Sequence, residues 1–345
     1  MNTSRRRTVA LAAAAALAAC RRPLTTQPKN GAGPLGTKVL NEHFQALADR
    51  ARPGAFAFGV MNLATTATWY WNTDRGFALA DAVALPIAVA AMALVEQRKL
   101  SLAQNVAYTA LDLSPPPSLI GHAWPSPPDK RHAVIGLEAL MTLALRQHDN
   151  TAIDVLMRQA GGPGGVGAFL QFKGVTGLRV DRYQREIDVD MFGMPPFRSD
   201  WKDAAAFDVA RGQIPAPKRQ AAMDRMILDP RDTSTVPAAL GFLGLLAAGQ
   251  LISPPSVARL LGWMQSAGPS RFAPGLPEDV VVAHASGQTP TDLGFTPATT
   301  ELAIASFPRG RRYAMAGFLV GSTATEAARN ALFAQAAQLA ARAIG

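Results

Sequence analysis

Three sets of polar residues in this sequence could carry out hydrolytic chemistry. Ser199 is followed three residues later by Lys202, and such a pair can transfer acyl groups when the lysine takes the proton of the serine. That chemistry needs a helix that stacks the lysine beneath the serine in a cleft, whereas this copy follows Pro196, so a chance occurrence is the favoured interpretation. Asp81 could act as a carboxylate nucleophile, and His148 could donate a proton near pH 7.

The segment around Asp81 has the pattern of a buried helix. Its apolar residues recur at intervals of three and four, and its many alanines favour a helix. These residues are Ala80, Ala84, Ile87, Ala88, Ala91, Met92 and Val95. The pattern predicts a helix over residues 81–97, packed in the core. An aspartate at the N-cap or in the first turn of a helix accepts backbone N–H groups and meets the positive end of the helix dipole, and this structural role is favoured for Asp81.

The composition is that of a globular protein. The chain has 345 residues, of which 48% are hydrophobic and 17% charged, so it can bury a large core. The formal net charge is +9, and removing the three charges of Arg5, Arg6 and Arg7 leaves +6. The remaining excess of positive charge is distributed along the chain, without a run of Lys and Arg interleaved with aromatic residues. This pattern argues against nucleic-acid binding. A weak attraction to anionic envelope polymers or a lipid surface fits it better.

The first twenty residues have the features of an export signal. Residues 4–8 resemble a twin-arginine signal, and the apolar stretch 9–19 is too short for a stable membrane anchor. Residues 17–20 resemble a lipobox that ends in Cys20, the only cysteine of the chain. We therefore expect lipid attachment at Cys20, with a plain secretory leader as the alternative. Because Arg21 rather than Asp follows, we expect an anchor in the outer membrane that faces the periplasm.

The rest of the chain divides into a tether and one domain. Residues 21–38 are rich in Pro, Gly and Thr and predict a flexible tether before a domain over residues 39–345. Strands are predicted at 55–63, 67–71, 280–284, 300–307 and 313–320, and a last helix at 324–344. Strands at both ends with helices between them predict an α+β fold. We expect an α/β/α sandwich, with an antiparallel sheet built from both termini and a mostly helical subdomain over about 81–240.

Residues 77–86, FALADAVALP, resemble the nucleophile helix of the class A serine β-lactamases, which reads approximately FPLASTFKLP. The resemblance covers nearly all of residues 39–345 and implies the β-lactamase/transpeptidase-like fold of the penicillin-recognising serine hydrolases. It places Asp81 at the position of the nucleophilic serine and Ala84 at that of the lysine one turn later. An Asp-Ala pair provides neither an activated hydroxyl nor a cationic proton shuttle.

Two further family motifs are altered at catalytic positions. The resemblance places His148, Asp149 and Asn150 at the Ser-Asp-Asn triplet, so an imidazole replaces the hydroxyl that relays a proton. Asp149 and Asn150 are retained, and we expect both to be structural as well as cleft-facing. Gln184 stands at the position of the general-base glutamate, and an amide cannot accept a proton at physiological pH.

The last motif lies in the predicted strand that begins near residue 280. Ala285, Ser286 and Gly287 stand where the family has Lys-Thr-Gly. Ser286 keeps a hydroxyl and Gly287 keeps an open strand edge, whereas Ala285 removes the main charge that holds the substrate carboxylate. A β-lactam would therefore bind weakly.

The resemblance also implies a pinned loop beside the cleft. Arg182 and Asp232 match residues that hold the two ends of the family's omega loop together, which predicts a structural salt bridge. Between them, residues 189–228 form an insertion longer than the family loop. A long insertion next to a cleft is usually a lid or a partner-binding element.

Together, these replacements predict a catalytically degenerate periplasmic lipoprotein with no catalytic residue, cofactor or metal. We expect it to bind a peptidoglycan fragment or an envelope protein, with membrane contact only through the lipid anchor. The expected cleft residues are Asp81, His148, Asn150, Gln184, Ser286 and Gln288. The alternative is an active β-lactamase or related hydrolase that uses Asp81, His148 or Ser199 in a rearranged set. A metal site of Asp81 and His148, with His284 as an optional third ligand, is the weakest hypothesis. Strand alternation turns His284 away from the residues adjacent to Ser286, and two ligands without supporting partners are rarely enough.

Overall fold

The computed structural model describes residues 37–73, 75–124 and 132–344. The predicted leader, Cys20 and nearly all of the predicted tether lie outside the described residues. The first helix begins at Thr37, two residues before the predicted start of the domain. Within the described ranges, no helix is both long enough and apolar enough to cross a membrane.

Helices form the larger part of the described structure. Their bounds are α1 Thr37–Arg50, α2 Ala84–Glu96, α3 Leu119–His122, α4 Leu137–Gln147, α5 Asn150–Gln159, α6 Gly162–Phe172, α7 Gln184–Phe192, α8 Ala204–Gly212, α9 Ala216–Leu228, α10 Val236–Ala247, α11 Pro254–Gln265 and α12 Glu326–Ile344.

The strands join the two ends of the chain. Their bounds are β1 Ala55–Asn62, β2 Thr68–Trp71, β3 Phe77–Ala78, β4 Asn105–Tyr108, β5 Ala133–Gly136, β6 Thr233–Ser234, β7 Val281–Gln288, β8 Thr296–Ser306 and β9 Arg312–Ser322. Five of them form one antiparallel sheet in the order β2-β1-β9-β8-β7. The predicted α+β fold, with a sheet built from both termini, is confirmed.

Each face of the large sheet is covered by helices. On one face, Phe58 of β1 stacks on Phe44 of α1 with ring centroids 5.3 Å apart, and Phe333 of α12 packs in the same apolar cluster. On the other face, Phe318 of β9 stacks on Phe77 at 5.5 Å, within the cluster that contains α2 and α10. The sheet is therefore the central layer of an α/β/α sandwich, with α1 and α12 on one face and the cluster that contains α2 and α10 on the other.

The segment that was predicted as a helix over residues 81–97 forms two consecutive elements. A 3-10 turn spans Ala80–Val83, and α2 follows from Ala84 to Glu96. The residues from Ala84 to Ala93 are buried, as the apolar period predicts. Pro86 lies in the first turn of α2, where a proline is tolerated because backbone N–H groups there have few partners within the helix.

The predicted insertion is a folded helical unit. Residues 189–192 belong to α7, which ends at Gly193 in the left-handed conformation (φ 63°), so the additional chain begins after that residue. It contains a 3-10 turn at Ser199–Trp201, then α8 and α9. A small apolar core of its own holds these elements against α7, and it includes Phe192, Phe207 and Met223.

Candidate functional site

Asp81 lies in the 3-10 turn at the start of α2, and its carboxylate faces two other elements. Oδ1 accepts a hydrogen bond from Gln184 Nε2 at 2.9 Å, and Oδ2 lies 3.5 Å from the backbone nitrogen of Gln288. These partners belong to α7 and β7. Asp81 lies in the first turn, which is one of its two expected positions, but its carboxylate accepts hydrogen bonds from across the cleft rather than from N–H groups of its own helix, so the expected capping contact is not formed.

Gln184 and Asn150 connect Asp81 to two further carboxyl groups. The backbone nitrogen of Gln184 donates to Asp154 Oδ1 at 2.6 Å, and its Nε2 lies 3.4 Å from Asn150 Oδ1. Asn150 Nδ2 donates to Asp188 Oδ2 and to the carbonyl of Pro115, each at 3.0 Å. The starts of α2, α5 and α7 therefore meet at one hydrogen-bonded centre. Asn150 ties neighbouring segments together there, while Asp149 caps α5.

The three carboxyl groups of this centre have raised pKa values. Burial raises the pKa of Asp81 from 3.8 to about 7, although the bond from Gln288 and the charge of Arg271 oppose the shift. Burial raises the pKa of Asp154 to about 6. The pKa of Asp188 is raised well above its usual value by burial and then by the charges of Asp81 and Asp154. A raised pKa favours the protonated form of each carboxyl group, and Asp81, with a pKa of about 7, is only partly ionised at neutral pH.

The β7 edge contacts the turn that carries Asp81. A Cβ added to Gly287 would lie 2.4 Å from the carbonyl oxygen of Leu79 and 2.8 Å from the backbone nitrogen of Asp81. Only glycine allows the strand and the turn to approach this closely. The neighbouring Ala285 is buried in the apolar cluster that contains α2, so it offers no polar atom to the cleft.

Ser286 belongs to a buried polar network. Its Oγ donates to Glu301 Oε2 at 3.2 Å and lies 3.0 Å from His284 Nδ1, while His284 Nε2 lies 2.8 Å from the carbonyl oxygen of Gly268. His284 and Ser286 share one face of β7, opposite Ala285, as strand alternation requires. The structure therefore places Ser286 with Glu301 and shows no hydrogen bond from it to Asp81 among the described contacts.

Arg271 is a cleft residue that sequence reasoning missed. It follows α11, and its Nη2 donates to Gln288 Oε1 at 3.3 Å and its Nε to Asn330 Oδ1 at 3.1 Å. Its Nη1 lies 3.5 Å from Glu301 Oε2. The motif lysine is absent because position 285 is alanine. The fold instead brings the guanidinium of Arg271 to the same strand, β7. A single arginine in a loop carries no motif that could have announced it.

His148 is a neutral side chain on the opposite wall. It ends α4 in the left-handed conformation (φ 51°). Burial lowers its pKa from 6.5 to about 4, and the charges of Arg271 and His284 lower it further in the same direction. The expectation that His148 could donate a proton near pH 7 is therefore wrong, since the imidazole is already neutral there.

Arg182 and Asp232 lie together despite the long segment between them. Arg182 Nε is 2.7 Å from Asp232 Oδ2, and both side chains are nearly buried. Arg182 Nη1 also reaches Asp190 at 2.9 Å and Asp229 at 3.3 Å. This cluster closes the loop that presents Gln184 to the cleft.

The remaining sequence candidates do not assemble into sites. Ser199 is exposed in its 3-10 turn, and Lys202 Nζ instead donates to the carbonyl oxygen of His122 at 3.3 Å and to Asp203 at 3.1 Å. Within residues 37–73, 75–124 and 132–344, no three His, Cys, Asp or Glu side chains are arranged to hold a metal ion.

Comparisons with known proteins agree on one family and one fold. The model of the Beta-lactamase enzyme family matches residues 39–344. Beta-lactamase SME-1 of Serratia marcescens is 25% identical over 264 residues, which is 75% of this chain and 72% of that protein. A beta-lactamase of Streptomyces albus G is 23% identical over an alignment of 352 positions that covers 99% of this chain and 98% of the relative.

Solved structures support the same fold. A beta-lactamase from Chitinophaga pinensis DSM 2588 superimposes with a TM-score of 0.70 at 24% identity, covering 89% of this chain and 99% of the other. An ancestral class A beta-lactamase (GNCA) gives 0.69 at 24% identity, with 88% and 99% coverage.

Proposed function

Because this chain belongs to the Beta-lactamase enzyme family, we propose that it is a catalytically degenerate member whose cleft binds a ligand and does not hydrolyse β-lactams. The ligand is a fragment of peptidoglycan or a segment of an envelope protein. The protein is lipid-anchored through Cys20 on the periplasmic side of the outer membrane, after export by a twin-arginine-like signal.

The contact between Asp81 and Gln184 carries this proposal. In the resemblance to class A enzymes, these positions hold the nucleophilic serine and the base that activates the deacylating water. Here a carboxylate accepts a hydrogen bond from a carboxamide at 2.9 Å. This pair provides no activated hydroxyl, and the carboxamide of Gln184 cannot take a proton from water at neutral pH.

Other replacements add to this loss. Ala84 and Ala285 stand at the two lysine positions, and both are buried among apolar side chains. Losing one catalytic group raises a reaction barrier by about 2–5 kcal/mol, and groups that act as a unit fail together. Replacement of the nucleophile, its lysine, the proton relay and the base therefore leaves no family mechanism.

The insertion supports the second kind of ligand, a segment of an envelope protein. Its surface contains a groove of about 630 Å³ lined by Trp201, Val209, Ile214 and neighbouring residues. Val209 is 66% exposed within this apolar groove, and a grouped apolar surface is typical of an interaction site.

One observation favours the alternative of a rearranged hydrolase. The pKa of Asp81, raised by burial to about 7, suits a general acid or base at neutral pH. A hydrolase of this kind would still need a nucleophile beside Asp81.

Two assays test the proposal. We expect no nitrocefin hydrolysis above the rate in buffer, and we expect binding of a purified disaccharide-peptide fragment of peptidoglycan by isothermal titration calorimetry. Nitrocefin turnover that disappears in Asp81→Asn would contradict the proposal and favour the rearranged hydrolase. For the anchor, Cys20→Ala should move the protein from the membrane fraction to the soluble periplasmic fraction.

A further inference from the structure

We propose that the cleft binds a protonated primary amine, with the carboxylate of Asp81 as its counter-ion and Gln184 Oε1 as a second acceptor. This inference rests on the proposed function, because it names the chemical group that a ligand of this cleft presents.

The Gln184 side chain leaves an acceptor without a donor. Its Nε2 uses both hydrogens, one toward Asp81 Oδ1 at 2.9 Å and one toward Asn150 Oδ1 at 3.4 Å. Because both partners are oxygen acceptors, the orientation of the amide is fixed. Gln184 is only 2% exposed, and among the residues that the structure describes its Oε1 has no hydrogen-bond partner. A buried acceptor of this kind favours a ligand that donates hydrogen bonds.

His148 provides a second observation of the same kind. Its Nδ1 is buried and has no partner within the described part of the chain. Burial and the nearby charge of Arg271 keep the imidazole neutral at physiological pH. A neutral imidazole has an acceptor nitrogen, so it tolerates a cation where an imidazolium would repel one.

The carboxylate of Asp81 can also accept further hydrogen bonds. A carboxylate has about four acceptor sites, and this one receives one good bond from Gln184 and a long contact from the Gln288 backbone. An ammonium group has three N–H donors and carries the complementary charge. It can therefore satisfy Asp81 and Gln184 Oε1 together.

The positive charge in the cleft is already neutralised. Arg271 lies 3.5 Å from Glu301 Oε2, and Glu301 is completely buried, so water does not screen this attraction. The guanidinium also donates to Gln288 and Asn330. A ligand carboxylate would have to compete with Glu301 for Arg271, whereas a ligand ammonium meets an unpaired carboxylate at Asp81. The centre of the cleft therefore prefers a cation to an anion.

Three Nα-acetylated amino-acid amides test this preference on the purified chain at pH 8. They are Nα-acetyl-lysine amide, its Nε-acetylated form, and Nα-acetyl-glutamate amide, which carry a cation, no charge and an anion. We expect the cationic probe to bind roughly tenfold or more tighter than the neutral one by NMR titration. Asp81→Asn should remove that advantage. Glu42→Gln, the same carboxylate-to-amide change on the far side of the sheet, should keep it.

The contrary outcomes distinguish failure of the amine site from failure of the proposed function. Equal binding of the cationic and neutral probes, no binding of the cationic probe, or an advantage that survives in Asp81→Asn would overturn the amine site. Tighter binding of the anionic probe would also overturn it, but would leave ligand binding by the cleft intact. A covalent adduct with a penicillin would instead overturn the proposed function.

Discussion

Replacing Asp81 with asparagine should stabilise the protein in a strongly pH-dependent way. The carboxyl group has a pKa of 3.8 when exposed and about 7 in the fold because burial disfavours its charged form. Between these values the folded state binds more protons than the unfolded state, so stability falls as pH rises. Asparagine has nearly the same shape and no charge, so the stability of the variant does not fall with pH through this position.

The magnitude follows from the size of the shift. Each pH unit between the two pKa values changes stability by about 1.36 kcal/mol, so the wild type should lose up to about 3 kcal/mol through Asp81 between pH 5 and pH 7. Asp81 keeps some contact with solvent, which reduces this to about 2 kcal/mol. Asp188 works in the same direction, because the charge of Asp81 raises its pKa and this influence disappears in the variant.

Urea unfolding of the wild type and of Asp81→Asn at pH 5 and pH 8 measures the effect. The stability difference between the two proteins should shift in favour of the variant by about 2 kcal/mol from the lower to the higher pH. Titration of Asp154 is common to both proteins and largely cancels in this comparison. A difference that stays constant with pH would refute the buried, poorly paired carboxylate at position 81.

Three further predictions follow from the site. Arg182→Ala should lower the free energy of unfolding by about 3 kcal/mol, measured in urea, because it leaves the nearly buried carboxylate of Asp232 without its ion-pair partner. Asp232→Ala should lower it by less in the same assay, because Arg182 keeps its ion pairs with Asp190 and Asp229. Gly287→Ala should destabilise the protein by about 2 kcal/mol in the same assay, because the new methyl group would overlap backbone atoms of the adjacent turn. The double variant Asp81→Ser with Ala84→Lys should show no nitrocefin turnover, because no base activates water for deacylation.

These predictions fail in distinguishable ways. Wild-type stability in the Arg182 or Asp232 variants would mean that other contacts close the loop. Wild-type stability of Gly287→Ala would mean that the strand edge and the turn are further apart than the structure places them. Turnover by the double variant would reveal a base near Asp81, and the extended variant that adds Gln184→Glu would then show whether this position matters.

The fold was predictable from the sequence because its signals are local and repeated. The apolar period after Asp81 predicted the buried helix, and the alternating segments at both chain ends predicted the central sheet. From the sequence, the insertion was recognisable only as a segment longer than the family loop. Its helices and its core around Phe192 and Met223 depend on tertiary contacts that no short pattern records.

The site was predictable only where a motif marks the position. Motif positions located Asp81, Asn150, Gln184 and Gly287 near one another, and the fold brings them together. Arg271 and Glu301 are separated by 30 residues and meet only because β8 pairs beside β7. The protonation behaviour of single side chains could not be predicted from the sequence either. The direction of each pKa shift depends on burial and on neighbouring charges rather than on residue type.

Intact-mass analysis after incubation with a penicillin and a reactive cephalosporin tests the central claim most directly. In a serine β-lactamase the lactam ring opens onto the enzyme, so an acyl adduct adds the mass of the penicillin, or that of the cephalosporin less any side group that it expels on ring opening. With Asp81 bonded to Gln184 in place of an activated serine, we predict that the mass of the wild-type chain stays unchanged. An acyl adduct on any residue of the cleft would contradict the account and would identify the nucleophile.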